Sequence, residues 1–205
     1  MHNGILGEYM RIIDRDQRSP EWHQAKSGVP SASEFSCIVT SDGSPSKQRT
    51  KYLYELCGQK LGAIPEAGYT SKAMEEGILK ESQAKEMYSR DVKPVVQVGF
   101  CIHDEGYGCS PDGLVEEDGV IEIKCPILST HIEYLIKQKL PTDYVQQVQG
   151  QLLVTGRKYN DFISYYPGLK PLVVRCYRDE VFISRLRSEL IKFIQELNEL
   201  TEKLR

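Results

Sequence analysis

The sequence predicts an α/β fold with a central, twisted mixed β-sheet flanked by helices. The first observation is the order of elements, because helical patterns at both ends of the chain enclose a run of short strand-like segments. The second is segment 120–124, where apolar and charged side chains alternate as in a strand with one face in a core. An α+β arrangement with the same central strands fits this order as well.

Helical signals come first along the chain. Ser19 is a capping residue followed by Pro20 at the first helical position, and this helix is expected to end at Gly28. A second short helix is predicted from Pro30. Two longer helices are predicted at about 46–61 and 71–89.

Strands are predicted at about 94–102, 107–110, 113–116, 120–124, 160–166 and 172–177, and further helices at 128–139, 142–155 and 179–203. The terminal helix carries apolar residues at heptad spacing: Ile183, Leu186, Leu190, Phe193, Leu197, Leu200 and Leu204. We expect this stripe to pack across the protein's own sheet, with a subunit contact as the alternative.

The length of 205 residues suits one domain, here 1–205, with residues 1–18 as an N-terminal extension and 179–205 as a terminal amphipathic helix. A hydrophobic share of 40% argues against disorder, and no apolar run reaches the ~20 residues that span a bilayer. Segment 1–16 lacks the apolar core of a signal peptide. The six cysteines form no C-x-x-C pair, which argues against a zinc knuckle or a disulfide framework. We therefore expect a cytoplasmic protein with no membrane partner.

The strongest chemical signal is Asp112, followed ten positions later by Glu122 and then by Lys124. In a strand, Glu122 and Lys124 project from one face. The Asp118-Gly119 pair predicts a hairpin that brings Asp112 alongside Glu122. Two carboxylates can share a hard cation, and an adjacent lysine can act on a metal-activated water. An ordinary half-buried hairpin with a polar face is the alternative.

Four motifs occur in a characteristic order along the chain: EWHQAKSGVPSASE at 21–34, GILKE at 77–81, CSPDGL at 109–114 with EIKCP at 122–126, and YVQQVQ at 144–149 with Gln151. Together they resemble the lambda-type 5′→3′ exonucleases, the YqaJ-like phage recombination nucleases of the PD-(D/E)xK superfamily. The resemblance extends from Trp22 to the terminal helix and implies a PD-(D/E)xK nuclease-like fold for a single nuclease domain.

The resemblance implies a metal centre. Asp112, Glu122 and the backbone carbonyl of Ile123 would bind Mg²⁺, with two ions expected and Mn²⁺ able to substitute. Lys124 would orient or deprotonate the attacking water, its pKa lowered by the nearby cations. Glu81 would be a further acidic residue near the metal, acting directly or through water, although an exposed helix acid is its alternative interpretation.

The resemblance also implies a pocket for the 5′-phosphate, formed by Lys26, Ser33, Ser110 and Gln147. Helix capping is the alternative role of Ser33, and an exposed helix position that of Gln147. Lys26 stands where the family has an arginine, so a point charge replaces a bidentate contact.

Three further positions match the family pattern less specifically. Met74 corresponds to an apolar wedge that separates the DNA strands, with core packing as the alternative. His131 stands at another position where a basic contact is expected, and we assign it no role. Trp22 is expected to attach the first helix to the body of the protein rather than to stack on a base.

The implied function is Mg²⁺-dependent 5′→3′ digestion of one strand of linear double-stranded DNA, as an alkaline-type exonuclease. It would release 5′-mononucleotides and leave a 3′ overhang for phage-type recombination by strand annealing. The implied partners are a single-strand annealing protein and two further copies of the chain in a ring-shaped homotrimer, encoded by a phage or prophage in a bacterial host. The alternatives are another PD-(D/E)xK nuclease (Cas4- or RecB-like, or a restriction endonuclease) and a non-catalytic DNA-binding module.

Overall fold

The computed structural model describes residues 10–63 and 72–205, and the side chains of residues 10–63 and 76–205. Its α-helices are α1 (Pro20–Lys26), α2 (Arg49–Lys60), α3 (Lys72–Asp91), α4 (Leu128–Lys137), α5 (Val145–Thr155) and α6 (Glu180–Leu204). Two 3₁₀ helices lie at Ala32–Cys37 and Thr142–Tyr144.

The strands are β1 (Met10–Ile13), β2 (Val95–Val96), β3 (Phe100–His103), β4 (Gly108–Cys109), β5 (Gly113–Val115), β6 (Gly119–Lys124), β7 (Tyr159–Ser164) and β8 (Leu172–Tyr177). Five of them form a sheet in the order β2-β5-β6-β7-β8, in which β6 and β7 are parallel and the other neighbours antiparallel. The other three form a small antiparallel sheet, β1-β3-β4. The predicted α/β class, with a mixed sheet flanked by helices, is confirmed.

The two faces of β6 contact different cores. Ile121 and Ile123 pack with Ala84 and Tyr88, so that α3 covers this face of the sheet. Val120, on the opposite face, belongs to a larger core formed with residues of α2, α5 and α6. Glu122 and Lys124 therefore project toward α5, on the face opposite α3.

Two strand predictions need correction. The sequence predicts one strand over 94–102, but β2 and β3 belong to different sheets. The break coincides with Gly99, whose Cβ would lie 2.3 Å from the carbonyl oxygen of Arg15, so only glycine permits this close approach of two chain segments. The sequence also predicts no strand before residue 19, whereas β1 pairs with β3 along its full length.

Both ends of α6 show how the sequence positions it. Asp179 caps the helix by accepting a hydrogen bond from the Phe182 amide at 3.0 Å. The predicted stripe is buried from Ile183 to Leu197, while Leu204 is 58% exposed. Its partners are chiefly α2 and α5, so the expected packing across the sheet is corrected to packing against two helices, of which α5 itself contacts the strands.

Candidate active site

A tight hairpin brings the two predicted metal-binding carboxylates together. Gly113 of β5 is paired with Ile121 of β6, which places Asp112 opposite Glu122. Asp112 continues the pairing, since its amide donates to the Ile121 carbonyl at 3.2 Å. Asp112 Oδ2 also accepts from the Ile123 amide at 2.6 Å. The predicted convergence of these residues is confirmed.

The turn of this hairpin differs in detail from the predicted Asp118-Gly119 turn. Val115 pairs directly with Gly119, so three residues connect the strands and Gly119 belongs to β6. Glu116 adopts a positive φ of 50°. Buried Arg157 closes the loop from inside, donating through Nη1 to the carbonyls of Val115, Glu116 and Gly119 at 3.3, 2.9 and 2.8 Å.

Glu122 is 3% exposed and is held by three donors. Its Oε1 accepts from Gln147 Nε2 at 2.7 Å and lies 2.7 Å from Lys124 Nζ. Its Oε2 accepts from Gln151 Nε2 at 2.5 Å. Gln147 and Gln151 are four residues apart on α5, so both side chains project from one helical face toward the strand.

The surroundings of Asp112 disfavour its negative charge. Burial raises the pKa of Asp112 well above its usual range, and the negative charges of Glu122 and Glu81 raise it further. A buried carboxylate beside other carboxylates is stabilised by a cation. The site therefore has the electrostatic character of a cation-binding site.

Lys124 differs from the sequence expectation. Burial lowers the pKa of its ammonium group, but the carboxylates of Glu122 and Asp112 outweigh burial and hold that pKa above its ordinary value. The expected lowering requires cations beside Lys124, and it stays a prediction for the metal-bound site.

Glu81 lies on α3, near enough for its charge to raise the pKa of Asp112. Its Oε2 accepts from Arg18 Nη2 at 2.7 Å, and its side chain is 22% exposed. The structure thus places Glu81 within electrostatic range of Asp112, while its role toward a metal stays a prediction.

The residues of the site suit magnesium in type. Mg²⁺ typically takes one or two carboxylates and keeps several waters, which matches the Asp112 and Glu122 pair. Among the side chains of residues 10–63 and 76–205, however, no group of three or more His, Cys, Asp or Glu is close enough to hold a metal by itself. Ile123 lies between Glu122 and Lys124 on β6, and the predicted use of its carbonyl as a ligand is untested.

A cavity of about 180 Å³ connects the carboxylates with the predicted phosphate pocket. Its lining includes Lys26, Ser33, Ser110 and Gln147, all four of the residues expected to bind a 5′-phosphate. The remaining lining residues are Gln17, Arg18, Trp22, Ser31, Ala32, Asp112, Glu122 and Gln151. One cavity therefore contains the two hairpin carboxylates and the predicted phosphate-binding residues, whereas Lys124 and Glu81 are not among its lining residues.

Two contacts arrange the phosphate half of this cavity. Trp22 Nε1 donates to Ser110 Oγ at 2.9 Å, which attaches α1 to the body of the protein, as expected, at the segment that leads to Asp112. Lys26 Nζ lies over the Trp22 ring, 5.0 Å from its centroid. Burial lowers the pKa of Lys26, although Glu34 and Cys109 oppose this effect.

Close packing sets the position of Ser33. A Cβ on Gly150 would lie 2.5 Å from the Phe35 ring, so glycine lets the 3₁₀ helix at Ala32–Cys37 approach α5 directly. This approach brings exposed Ser33 to the same cavity as Gln147. Gln147 donates to Glu122 rather than remaining the exposed helix residue of the alternative interpretation.

Two other sequence candidates have different outcomes. His131 is fully buried, with Nδ1 2.8 Å from Ser164 Oγ and Nε2 3.1 Å from the Lys170 carbonyl, so it is a core residue and not a surface contact for DNA. Met74 falls within α3, but its side chain lies outside the described residues, and the strand-separating wedge stays a prediction.

Sequence reasoning named Gln151 only as part of the fourth motif and gave it no role in the site, and it did not name Arg18. Gln151 was identifiable in principle, because its spacing from Gln147 places both on one face of α5. Arg18 had no such signal, since its position depends on contacts of residues distant in sequence.

Comparisons with known proteins agree with this geometry. Residues 21–158 match the family model of the YqaJ-like viral recombinase domain. The chain belongs to this family. A search of the curated proteins finds no match.

Solved structures add a second line of support for membership of this family. An alkaline exonuclease, LHK-Exo from Laribacter hongkongensis, matches at 34% identity with a TM-score of 0.79, covering 91% of this chain and 96% of that chain. The complex of LHK-Exo with dAMP matches at 33% identity with a TM-score of 0.81 and the same coverage. A phage related exonuclease from Haemophilus somnus 129PT matches at 15% identity and a TM-score of 0.66, over 86% of this chain and 96% of that chain, which shows the fold alone.

The resemblance to the lambda-type exonucleases is thus confirmed, as is the PD-(D/E)xK nuclease-like fold. In the part of the chain that the structure describes, no helix combines the length and apolar character needed to cross a membrane.

Proposed function

We propose that this YqaJ-like protein is a Mg²⁺-dependent 5′→3′ exonuclease that digests one strand of linear double-stranded DNA to 5′-mononucleotides. The observation that supports this most strongly is a single cavity lined by the Asp112 and Glu122 carboxylates together with Lys26 and Ser110. Lys124 adjoins it, with its Nζ 2.7 Å from Glu122 Oε1. A metal centre next to a phosphate pocket is the arrangement that cleavage at a strand end requires.

The proposed metal ligands are the Asp112 and Glu122 carboxylates and the Ile123 carbonyl. We propose that they bind two Mg²⁺ ions, for which Mn²⁺ can substitute. When bound, the divalent ion supplies water activation and neutralises charge on the scissile phosphate. Lys124 holds the attacking water close to the carboxylates. Gln147 and Gln151 fix the orientation of Glu122.

The 5′→3′ direction of digestion is attributed to the other half of the cavity, the predicted phosphate pocket. Lys26 provides a positive charge, and the hydroxyls of Ser33 and Ser110 provide donors for a terminal 5′-phosphate. With the phosphate held there, the metal site acts on the first phosphodiester from the 5′ end. LHK-Exo forms a complex with dAMP, a 5′-mononucleotide, which is the class of product expected here.

The biological setting follows from the family, whose model describes a viral recombinase domain. We infer that the 3′ overhang is the substrate of a single-strand annealing protein, and that a homotrimer encircles the DNA with Met74 as the strand-separating wedge. The proposed location is the cytoplasm of a bacterial host that carries the phage or prophage, with residues 1–205 acting as one nuclease domain.

The test compares linear duplexes carrying a 5′-phosphate or a 5′-hydroxyl, each digested with Mg²⁺ by the wild type and by Lys124→Ala. The wild type should release labelled 5′-mononucleotides, faster from the duplex with a 5′-phosphate. At the same duplex end, the complementary strand, which terminates there in a 3′-hydroxyl, should stay intact. Lys124→Ala should release almost none. Lys192→Ala, a substitution of an exposed lysine on α6, is the matched control and should behave as wild type.

Each arm addresses one part of the proposal. Equal digestion rates for the 5′-phosphorylated and 5′-hydroxyl duplexes would contradict the proposed phosphate pocket but not the proposed metal centre. Cleavage of a closed circular plasmid favours an endonuclease of the same superfamily. The absence of any Mg²⁺-dependent nucleotide release favours a non-catalytic DNA-binding module.

A further inference from the structure

Arg18 adopts an unusual backbone conformation beside the candidate active site. Its φ of 72° lies in the left-handed region, which is unfavourable for a residue with a Cβ atom. Strain of this kind persists only where surrounding contacts impose it, and it is concentrated at functional sites.

The neighbours of Arg18 impose this conformation. Gln17 Nε2 donates to the carbonyls of Val98 and Pro111 at 2.9 and 2.8 Å, which fixes the preceding residue against the segment that leads to Asp112. Ser19 is fixed on the other side, because its Oγ caps α1 by accepting from the Trp22 amide at 3.2 Å. Arg18 is therefore held between two anchored residues.

This conformation directs the guanidinium group into the site. Arg18 lines the same cavity as Asp112 and Lys26. Its Nη2 donates to Glu81 Oε2 at 2.7 Å, and the two side chains are 48% and 22% exposed. Ion pairs with this degree of exposure contribute little free energy, so the guanidinium can leave Glu81 at low cost.

We propose that Arg18 is a phosphate-binding residue that forms an ion pair with Glu81 until a divalent cation neutralises that carboxylate. This inference rests on the proposed function. Arg18 competes with the cation for Glu81 when DNA is absent, and it binds a phosphate of the cleaved strand when the cation is present. A guanidinium suits this exchange because it makes bidentate bonds to either a carboxylate or a phosphate. Arg18 would also supply the bidentate contact that Lys26 cannot make.

The two roles predict opposite effects of one substitution. In calorimetric titrations without DNA, Arg18→Ala should bind Mn²⁺ about twofold to fivefold more tightly than the wild type, because the competing cation is removed. In titrations with dAMP at saturating Mn²⁺, the same variant should bind about tenfold more weakly, because a charged hydrogen-bond donor is lost. Arg15→Ala removes an exposed arginine from the same segment and should change neither affinity.

Arg18→Gly separates function from folding. Glycine accepts the positive φ without strain, which offsets the loss of the ion pair, so its melting temperature should stay within about 2 °C of the wild type. Its affinities for Mn²⁺ and dAMP should nevertheless shift as in Arg18→Ala. A purely structural arginine would instead lower stability and leave both affinities unchanged.

The possible failures are distinguishable. If the wild type binds Mn²⁺ and digests DNA but Arg18→Ala binds Mn²⁺ no more tightly or dAMP no less tightly, this inference is wrong and the proposed function stands. If the wild type neither binds Mn²⁺ nor releases nucleotides, both are wrong.

Discussion

Gln151 Nε2 donates to Glu122 Oε2 at 2.5 Å, and this bond joins the interior of α5 to the candidate metal centre. Gln151 is itself oriented by Asn160, whose Nδ2 donates to Gln151 Oε1 at 2.6 Å. Gln151 and Asn160 are almost completely buried, at 1% and 0% exposure. Two side-chain amides in series, Asn160 on β7 and Gln151 on α5, therefore fix one oxygen of Glu122. This leaves the carboxylate little freedom to rotate.

We predict that Gln151→Leu lowers exonuclease activity and Mn²⁺ affinity by about 10- to 100-fold, as is usual when a residue that orients a metal ligand is removed. Digestion rates and calorimetric titration with Mn²⁺ measure the two effects. Gln195→Leu, a change on the solvent-facing side of α6, is the control and should leave both unchanged. Unchanged Mn²⁺ affinity in Gln151→Leu would show that Glu122 needs no such support.

Arg157 supports the same site from the opposite end of the hairpin. It is 9% exposed and donates to three loop carbonyls, so its removal takes away three hydrogen bonds that hold the loop and leaves a space in the interior. We expect Arg157→Ala to lower the free energy of unfolding by about 2–4 kcal/mol. Thermal unfolding with Lys158→Ala as the control measures this, since Lys158 is 72% exposed and pairs with Asp118 at the surface. Equal stability of the two variants would contradict the anchoring role.

Lys26 gives the phosphate preference a pH dependence. Burial lowers its pKa, so the ammonium group loses its charge at a lower pH than an ordinary lysine. The rate ratio between 5′-phosphorylated and 5′-hydroxyl duplexes should therefore fall as the pH rises toward the range in which lysine titrates. Lys26→Arg should keep the ratio high throughout, because a guanidinium stays charged. A ratio that is independent of pH in the wild type would exclude Lys26 as the phosphate contact.

Glu105 makes folding sensitive to acid. Its bonds to the Arg187 guanidinium, with a further one from the Tyr107 hydroxyl, lower the pKa of Glu105 to about 2 against burial. Because this pKa is lower in the folded than in the unfolded chain, the stabilisation is complete above the ordinary value of 4.5 and is lost as the pH falls toward 2.

Melting temperatures between pH 2 and 6 test this effect. Glu105→Gln should be less stable than the wild type near pH 6, and the difference should shrink steadily below pH ~4.5. Glu202→Gln, at an exposed carboxylate near the C-terminus, should show no such convergence. A difference that is constant with pH would mean that Glu105 acts through packing and not through its charge.

Local patterns in the sequence were sufficient for the hairpin and for most helices. The alternation around Glu122 specifies which side chains share a face, because it depends only on the geometry of a strand. The Asp118-Gly119 pair predicts the hairpin that pairs the two strands. The cap at Ser19 likewise predicts where α1 begins, and its bond to the Trp22 amide confirms it.

The remaining features depend on tertiary contacts that a single sequence does not display. The break between β2 and β3 arises because Gly99 lies against the backbone of Arg15, a neighbour far away in sequence. The position of Arg18 depends on the bonds that Gln17 makes to Val98 and Pro111. For the same reason the burial of His131, a basic residue by sequence, is explained only by its contacts with the hydroxyl of buried Ser164 and the backbone carbonyl of Lys170.

The most direct test of the metal centre is the anomalous-scattering map of a crystal soaked in Mn²⁺. We predict a peak within coordinating distance of both the Asp112 and Glu122 carboxylates, and its loss in an Asp112→Asn crystal soaked identically. A well-ordered site with no peak between these carboxylates would contradict the proposal that they bind a divalent cation for phosphodiester hydrolysis.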